Sequence, residues 1–332
     1  MDALVRETPE EPVRGMIARL AARAGGEIRP DDAETRAYLG AIPVVRSADE
    51  GAILRSLAGF KGAALEDGTV AGRGPTREAA LVAVSSICFV CYVKFVADAL
   101  AVSRRGEKLD TETRRLLEIA FNPARRPPEA LPPLTAGPFD DASSARAAIA
   151  EAGNATVALG LVDACFGNVS YRVREALHLS RSGAPLDGLE GRIDLVPLDG
   201  SGPAPRTASS ELAAHRGIVE KTGARAVLHC HPRHAVVASL DCDRGACPDR
   251  GSCHLRCPYP RSAGGAPIVP GETGDGPCGS CRTLPPALAG RSAAIVHGHG
   301  VFAIGRVDFG EALAATVAVE RACFDDVALR LL

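Results

Sequence analysis

The sequence predicts an α/β domain with a mostly antiparallel central sheet, preceded by an all-helical domain. Three observations lead there. Apolar residues before residue 121 recur at helical spacing. Pro123, Pro127, Pro128, Pro132, Pro133 and Pro138 then interrupt the chain and read as a stiff linker. Beyond residue 139, short apolar runs of strand length alternate with turns and helices. The expected organisation is a helical domain over 1–121, a linker over 122–138 and an α/β domain over 139–332.

The helical elements follow from their ends. Met16–Ala24 is a helix closed by Gly25-Gly26, and Asp31-Asp32 caps a second short one. Ala48–Ala58 makes a third. Thr76 starts the longest helix, reaching about Val102, with apolar residues around nearly its whole circumference, as in a buried central helix. Cys88 and Cys91 lie on it and read as small core residues. Asp110–Phe121 closes the region. After the linker, Asp140–Glu151 is a helix. Strands are expected at Leu177–Ser180, Ile193–Leu198, Ala226–Cys230, Ala294–His297 and Val301–Ile304. Helices are expected at Glu211–Thr222, Pro232–Leu240 and Asp308–Leu331.

Composition narrows the function. A net charge of −2 lacks the basic excess of a nucleic-acid binder. Aromatics make up 4% and Trp is absent, so the core is built from Ala, Val, Leu and Ile. The first residues are charged and carry no apolar leader, and Ala79–Val93 is short for a membrane span. Eleven cysteines without a leader suggest reduced thiols in the cytoplasm.

The chemistry gathers at two strand ends. In Val227-Leu228-His229-Cys230-His231, alternation points His229 and His231 to one face and Cys230 to the other. A second apolar run ends in His297-Gly298-His299. His229, His231 and His299 are the expected zinc ligands, since three imidazoles leave a position open for water or substrate. Glu211 stands at the start of the helix leading into the first histidine strand. The turns Phe166–Ser170 and Ser180–Gly183, with Ser209 and Ser210, could cradle a phosphate through backbone N–H and hydroxyl groups.

Gly167-Asn168-Val169-Ser170, Ser182-Gly183, Ser209-Ser210-Glu211, His229-Cys230-His231 and His299-Gly300-Val301, in this order and spacing, resemble the class II aldolase/adducin family. That family includes fuculose-1-phosphate aldolase and ribulose-5-phosphate 4-epimerase. The resemblance covers about 140–330 and implies a three-layer α/β/α domain. It implies zinc on the three histidines and Glu211 as the acid/base that enolises the substrate. Phosphate contacts fall on Asn168, Ser182, Gly183, Ser209 and Ser210. The implied activity is a zinc-dependent aldolase cleaving or forming a C–C bond in a small sugar phosphate through a metal-stabilised enediolate, in a homo-oligomer that is tetrameric in relatives. Epimerase or decarboxylase chemistry, or a non-catalytic metal- or redox-sensing role on the same scaffold, are the alternatives.

One stretch departs from the family pattern. Residues 241–282 form a glycine- and proline-crowded insertion holding Cys242, Cys247, Cys253, Cys257, Cys278 and Cys281. Little regular structure is expected there. The six thiols suggest a second metal site, structural zinc or an iron–sulfur cluster, with Cys278-x-x-Cys281 as one half. Free thiols on a loop are the other reading.

Overall fold

Capping side chains decide where helices begin in this chain. Asp32, Asp49, Thr76, Asp110 and Asp141 each accept backbone N–H groups of the first turn that follows. Such a cap contributes about 1 kcal/mol. A computed structural model describes residues 2–46, 49–162, 166–199, 201–202 and 204–332. Two compact units result: Met1–Arg126 with Leu240–Asp243 and Phe324–Leu332, and Pro127–Ser239 with Arg244–Cys323.

In the first unit the order is β1 (Ala3–Glu7), α1 (Val13–Arg23), β2 (Glu27–Ile28), α2 (Ala33–Leu39), β3 (Ile42–Val45), α3 (Glu50–Ser56), β4 (Gly62–Leu65), β5 (Val70–Gly74), α4 (Arg77–Arg104) and α5 (Thr111–Ala120). The five expected helices form. The all-helical expectation does not hold, because five strands pair into a sheet of order β1-β5-β4-β3-β2. Those strands escape a sequence reading because β4 and β5 are rich in Gly and Ala, which have little strand preference. The small residues are needed by the packing. A Cβ on Gly72 would lie 2.2 Å from the Ala80 carbonyl oxygen, and one on Gly62 would lie 2.4 Å from Ile87 Cδ1. Helix α4 thus rests directly on β4 and β5. It is long and apolar enough to cross a membrane, yet 67% of its most apolar window is buried within the protein. Cys91 on α4 is fully buried, and burial pushes its thiol up.

The second unit contains α6 (Ala142–Ala158), β6 (Asn168–Val173), β7 (Ala176–Ser180), β8 (Ile193–Pro197), α7 (Leu212–Thr222), β9 (Ala226–Cys230), α8 (Arg233–Leu240), β10 (Arg261–Ala263), β11 (Ala266–Val269), α9 (Ser280–Leu288), β12 (Ala293–Val296), β13 (Gly300–Gly305) and α10 (Phe309–Leu331). Leu240 and the last residues of α10 count with the first unit. The sheet order is β10-β11-β12-β13-β9-β6-β7-β8. It is a mixed sheet: the mostly antiparallel order expected is interrupted at one pairing. β11 and β12 run parallel because α9 carries the chain back between them. Two other expectations change. Residues 168–170, read as part of the turn Phe166–Ser170, begin β6, which β7 and β9 flank on both sides. The cysteine-rich stretch is more regular than expected, holding β10, β11 and the start of α9.

Period-two alternation sorts the sheet into two faces. Leu177, Val227, Val296, Phe302 and Ile304 pack under α7 and α9, with Ile218, Val219, Leu284 and Leu288. On β6, Tyr171 faces the other way, against Phe139 and Phe309. His229 therefore shares the α7 face with Val227.

Candidate metal centre

Strand β9 ends where three neighbours meet. His229 pairs in register with Phe302 of β13 and with Asn168 of β6. His231 follows at the strand end. His299 sits in the tight turn from β12 to β13, where its N–H donates to the Val296 carbonyl at 3.1 Å and Gly298 has φ 60°. Ser239 holds that turn. Its Oγ accepts from Gly298 N–H at 2.9 Å, and its carbonyl accepts from His297 Nδ1 at 2.8 Å. His297 is thus engaged in fixing the turn. His299 is the residue it delivers to the cluster.

The ligand atoms of His229, His231 and His299 lie within 4.8 Å of one another. Their ring centroids are 4.8, 4.9 and 5.0 Å apart, a nearly equilateral triangle. All three side chains are buried. His229 stacks on Phe302 at 3.9 Å, and His231 stacks on Phe166 at 5.8 Å. His229 Nδ1–H donates to the Val301 carbonyl at 3.0 Å, which leaves the lone pair on Nε2. His231 Nε2 lies 3.0 Å from that atom.

Glu211 closes the fourth side. It precedes α7, and its N–H donates to Ser209 Oγ at 3.2 Å. Its Oε2 lies 3.1 Å from His229 Nε2, and its Oε1 lies 3.8 Å from His299 Nε2. Asn168 Nδ2 donates to Oε2 at 2.8 Å. Oε1 is buried without a hydrogen-bond partner. Burial pushes His229 down to about 4, although the Glu211 carboxylate pulls the other way. Burial and the two neighbouring rings hold His231 well below its ordinary value. For Glu211, burial alone would raise the carboxyl. His229, His299 and the Asn168 amide outweigh it, and the group stays ionised.

The donor set fits a divalent cation. Three buried imidazoles converge, and a carboxylate with one orphaned oxygen stands beside them. Nitrogen donors of this kind suit a borderline metal such as zinc.

The expected phosphate residues lie on three segments of the second unit. Ser182 and Gly183 occupy an exposed turn after β7, where Gly183 has φ 68°. Ser182 N–H donates to the Thr207 carbonyl at 2.9 Å, and Arg181 bridges to Ala208. This brings the turn against Ser209 and Ser210. Asp194, buried on β8, accepts from Arg181 Nε at 2.8 Å and from Thr207 Oγ1 at 2.6 Å, so one carboxylate holds both turns. Asn168, on β6, donates to Glu211. Beyond it lies a residue the sequence reading passed over. His215 Nε2 bonds Asn168 Oδ1, and Ser170 Oγ lies 2.7 Å from His215 Nδ1. The available signal was spacing: His215 follows Glu211 by four residues, one helical turn. His234 bonds Glu320 at 2.6 Å, and that carboxylate also caps α8.

The cysteines behave differently. Among the described residues, the histidine triad is the one group of three or more His, Cys, Asp or Glu side chains that converges as metal ligands do. Cys242, Cys247, Cys253, Cys257, Cys278 and Cys281 form no such group. Cys253 and Cys257 donate to the carbonyls of Asp249 and Tyr259. The second metal site expected from their number has no converged ligand group among the described residues.

Residues 147–324 match the family model described as Class II Aldolase and Adducin N-terminal domain. None of the curated proteins matches the chain. Among solved structures, an L-fuculose-1-phosphate aldolase from Thermus thermophilus is 28% identical, over 56% of this chain and 92% of its own, with a TM-score of 0.43. A sugar-phosphate aldolase from Thermotoga maritima is 18% identical, over 57% and 95%, with a TM-score of 0.42. The family match spans more than half of the chain and includes every residue of the histidine triad, Glu211 and the two turns. The chain belongs to the class II aldolase and adducin family.

Proposed function

We propose that the protein is a zinc-dependent lyase that makes or breaks a C–C bond in a small sugar phosphate. The observation that carries this reading is Glu211 Oε1, buried, unpartnered and beside three converging imidazoles. His229, His231 and His299 hold the cation, which when bound supplies Lewis acidity toward the oxygens of a ketose phosphate. Glu211 takes the proton from the carbon next to the carbonyl and returns it. Burial among the histidines shields its carboxylate from water, and the Asn168 amide keeps it oriented. Ser182, Gly183, Ser209 and Ser210 bind the phosphate through N–H and hydroxyl groups of two adjoining turns. The chain assembles as a homo-oligomer.

The test is proton exchange. Dihydroxyacetone phosphate incubated with zinc-loaded protein in deuterium oxide should lose its carbon-bound proton signal by NMR. Glu211→Gln should slow this by about 10²- to 10⁴-fold. Exchange at the wild-type rate in the variant would remove Glu211 from the proton step. Exchange without cleavage of any added aldol favours the epimerase alternative over the lyase.

A further inference from the structure

The buried chain Ser170–His215–Asn168–Glu211 has one consistent direction. A carboxylate only accepts, so Asn168 must present its amide N–H to Glu211 Oε2, 2.8 Å away. Oδ1 of Asn168 then faces His215 Nε2, which must carry the proton. The neutral ring has a bare Nδ1 as a result, and Ser170 Oγ, 2.7 Å away, must donate to it. Reversing any link leaves two acceptors or two donors facing each other inside the protein. Such a mismatch costs about 1–3 kcal/mol for each buried group left unsatisfied. His215 and Ser170 are fully buried, and Asn168 and Glu211 nearly so. Burial holds His215 down to about 3, in keeping with a ring that stays neutral.

The placement follows from two elements. Asn168 and Ser170 are alternate residues of β6 and share a face. Glu211 and His215 are one turn apart at the start of α7. The sheet and the helix therefore meet through four side chains, the last of which stands at the metal centre. The edge of His215 packs on Phe302, the ring on which His229 stacks.

We propose that His215 is a positioning residue for Glu211. Its Nε2–H fixes the Asn168 amide so that Nδ2–H grips the carboxylate. This rests on the reading of Glu211 as the proton carrier. It adds a residue to that reading.

The experiment has two arms, both on the full chain. Long-range ¹⁵N–¹H correlation on protein labelled at histidine reads the His215 tautomer, with and without zinc. The expected result is Nε2 protonated and Nδ1 bare, unchanged from pH 8 to pH 5. A protonated Nδ1 overturns the proposal. This arm needs no turnover, so it decides the orientation even if dihydroxyacetone phosphate is inert and the proton-carrier reading fails. The second arm compares His215→Leu with His215→Gln, whose amide N–H reaches the Nε2 position. His215→Leu should retain zinc and lower kcat for proton exchange by about 10- to 100-fold with KM unchanged. His215→Gln should recover most of that loss. Wild-type kcat in His215→Leu overturns the proposal. So does a loss that Gln fails to rescue and that zinc release accompanies, which marks a structural role only.

Discussion

Buried histidines give this protein an acid-sensitive centre. His229 is held down to about 4 and His215 to about 3, both mainly by burial. The unfolded chain takes up a proton on each near pH 6.5, and the folded chain refuses it until far lower pH. Below pH 6.5 the unfolded state thus binds more protons, and stability falls as pH drops. Each histidine contributes a slope of about 1.4 kcal/mol per pH unit across its window. In metal-free protein the urea midpoint should fall between pH 6.5 and pH 4.5, and His215→Gln should flatten that slope. A midpoint constant across the window would contradict the burial of these rings. At this scale the sequence was legible where geometry is local. Alternation alone placed His229 and His231 on one face. His215 was not legible, because a lone histidine on a helix acquires meaning only when β6 brings Asn168 and Ser170 against it.

Elements act here by how closely they approach. Strand β13 enters the centre through Gly300, where a Cβ would lie 2.4 Å from the Cys230 carbonyl oxygen, 2.7 Å from His231 Cδ2 and 3.0 Å from His229 Cε1. No side chain fits without displacing the backbone of β9 or two of the imidazoles. Gly300→Ala should therefore weaken zinc affinity by at least about 10-fold, as loss of a ligand's support does, while circular dichroism stays unchanged. Wild-type affinity, measured by competition with a chelating dye, would show that the close approach is not needed. The same logic explains which strands a sequence reading sees. β9, β12 and β13 announce themselves through Val, Ile and Leu. β4 and β5 do not, because α4 lies so near that their positions are filled by Gly and Ala. β6 was hidden by Gly167-Asn168 at its start, a pair that reads as a turn until strands flank it on both sides.

The whole chain divides into two units with separate sheets, and the family match falls on the second apart from residues 240–243 and 324. The proposed chemistry needs only residues of that unit: Glu211, the histidine triad, the His215 relay and two turns tied by Asp194. The alternation of short apolar runs with turns and helices pointed to the α/β class of that unit. Composition does not say where loops carry the eleven thiols of a chain of 332. The central claim is thus a single metal held by nitrogen. Zinc X-ray absorption on purified, zinc-supplied protein tests it most directly. The account predicts one zinc per chain, a nitrogen and oxygen shell at about 2.0–2.1 Å, no sulfur near 2.3 Å, and loss of the signal in His229→Ala. A protein that takes up no zinc, or a sulfur shell that persists in His229→Ala, would contradict it.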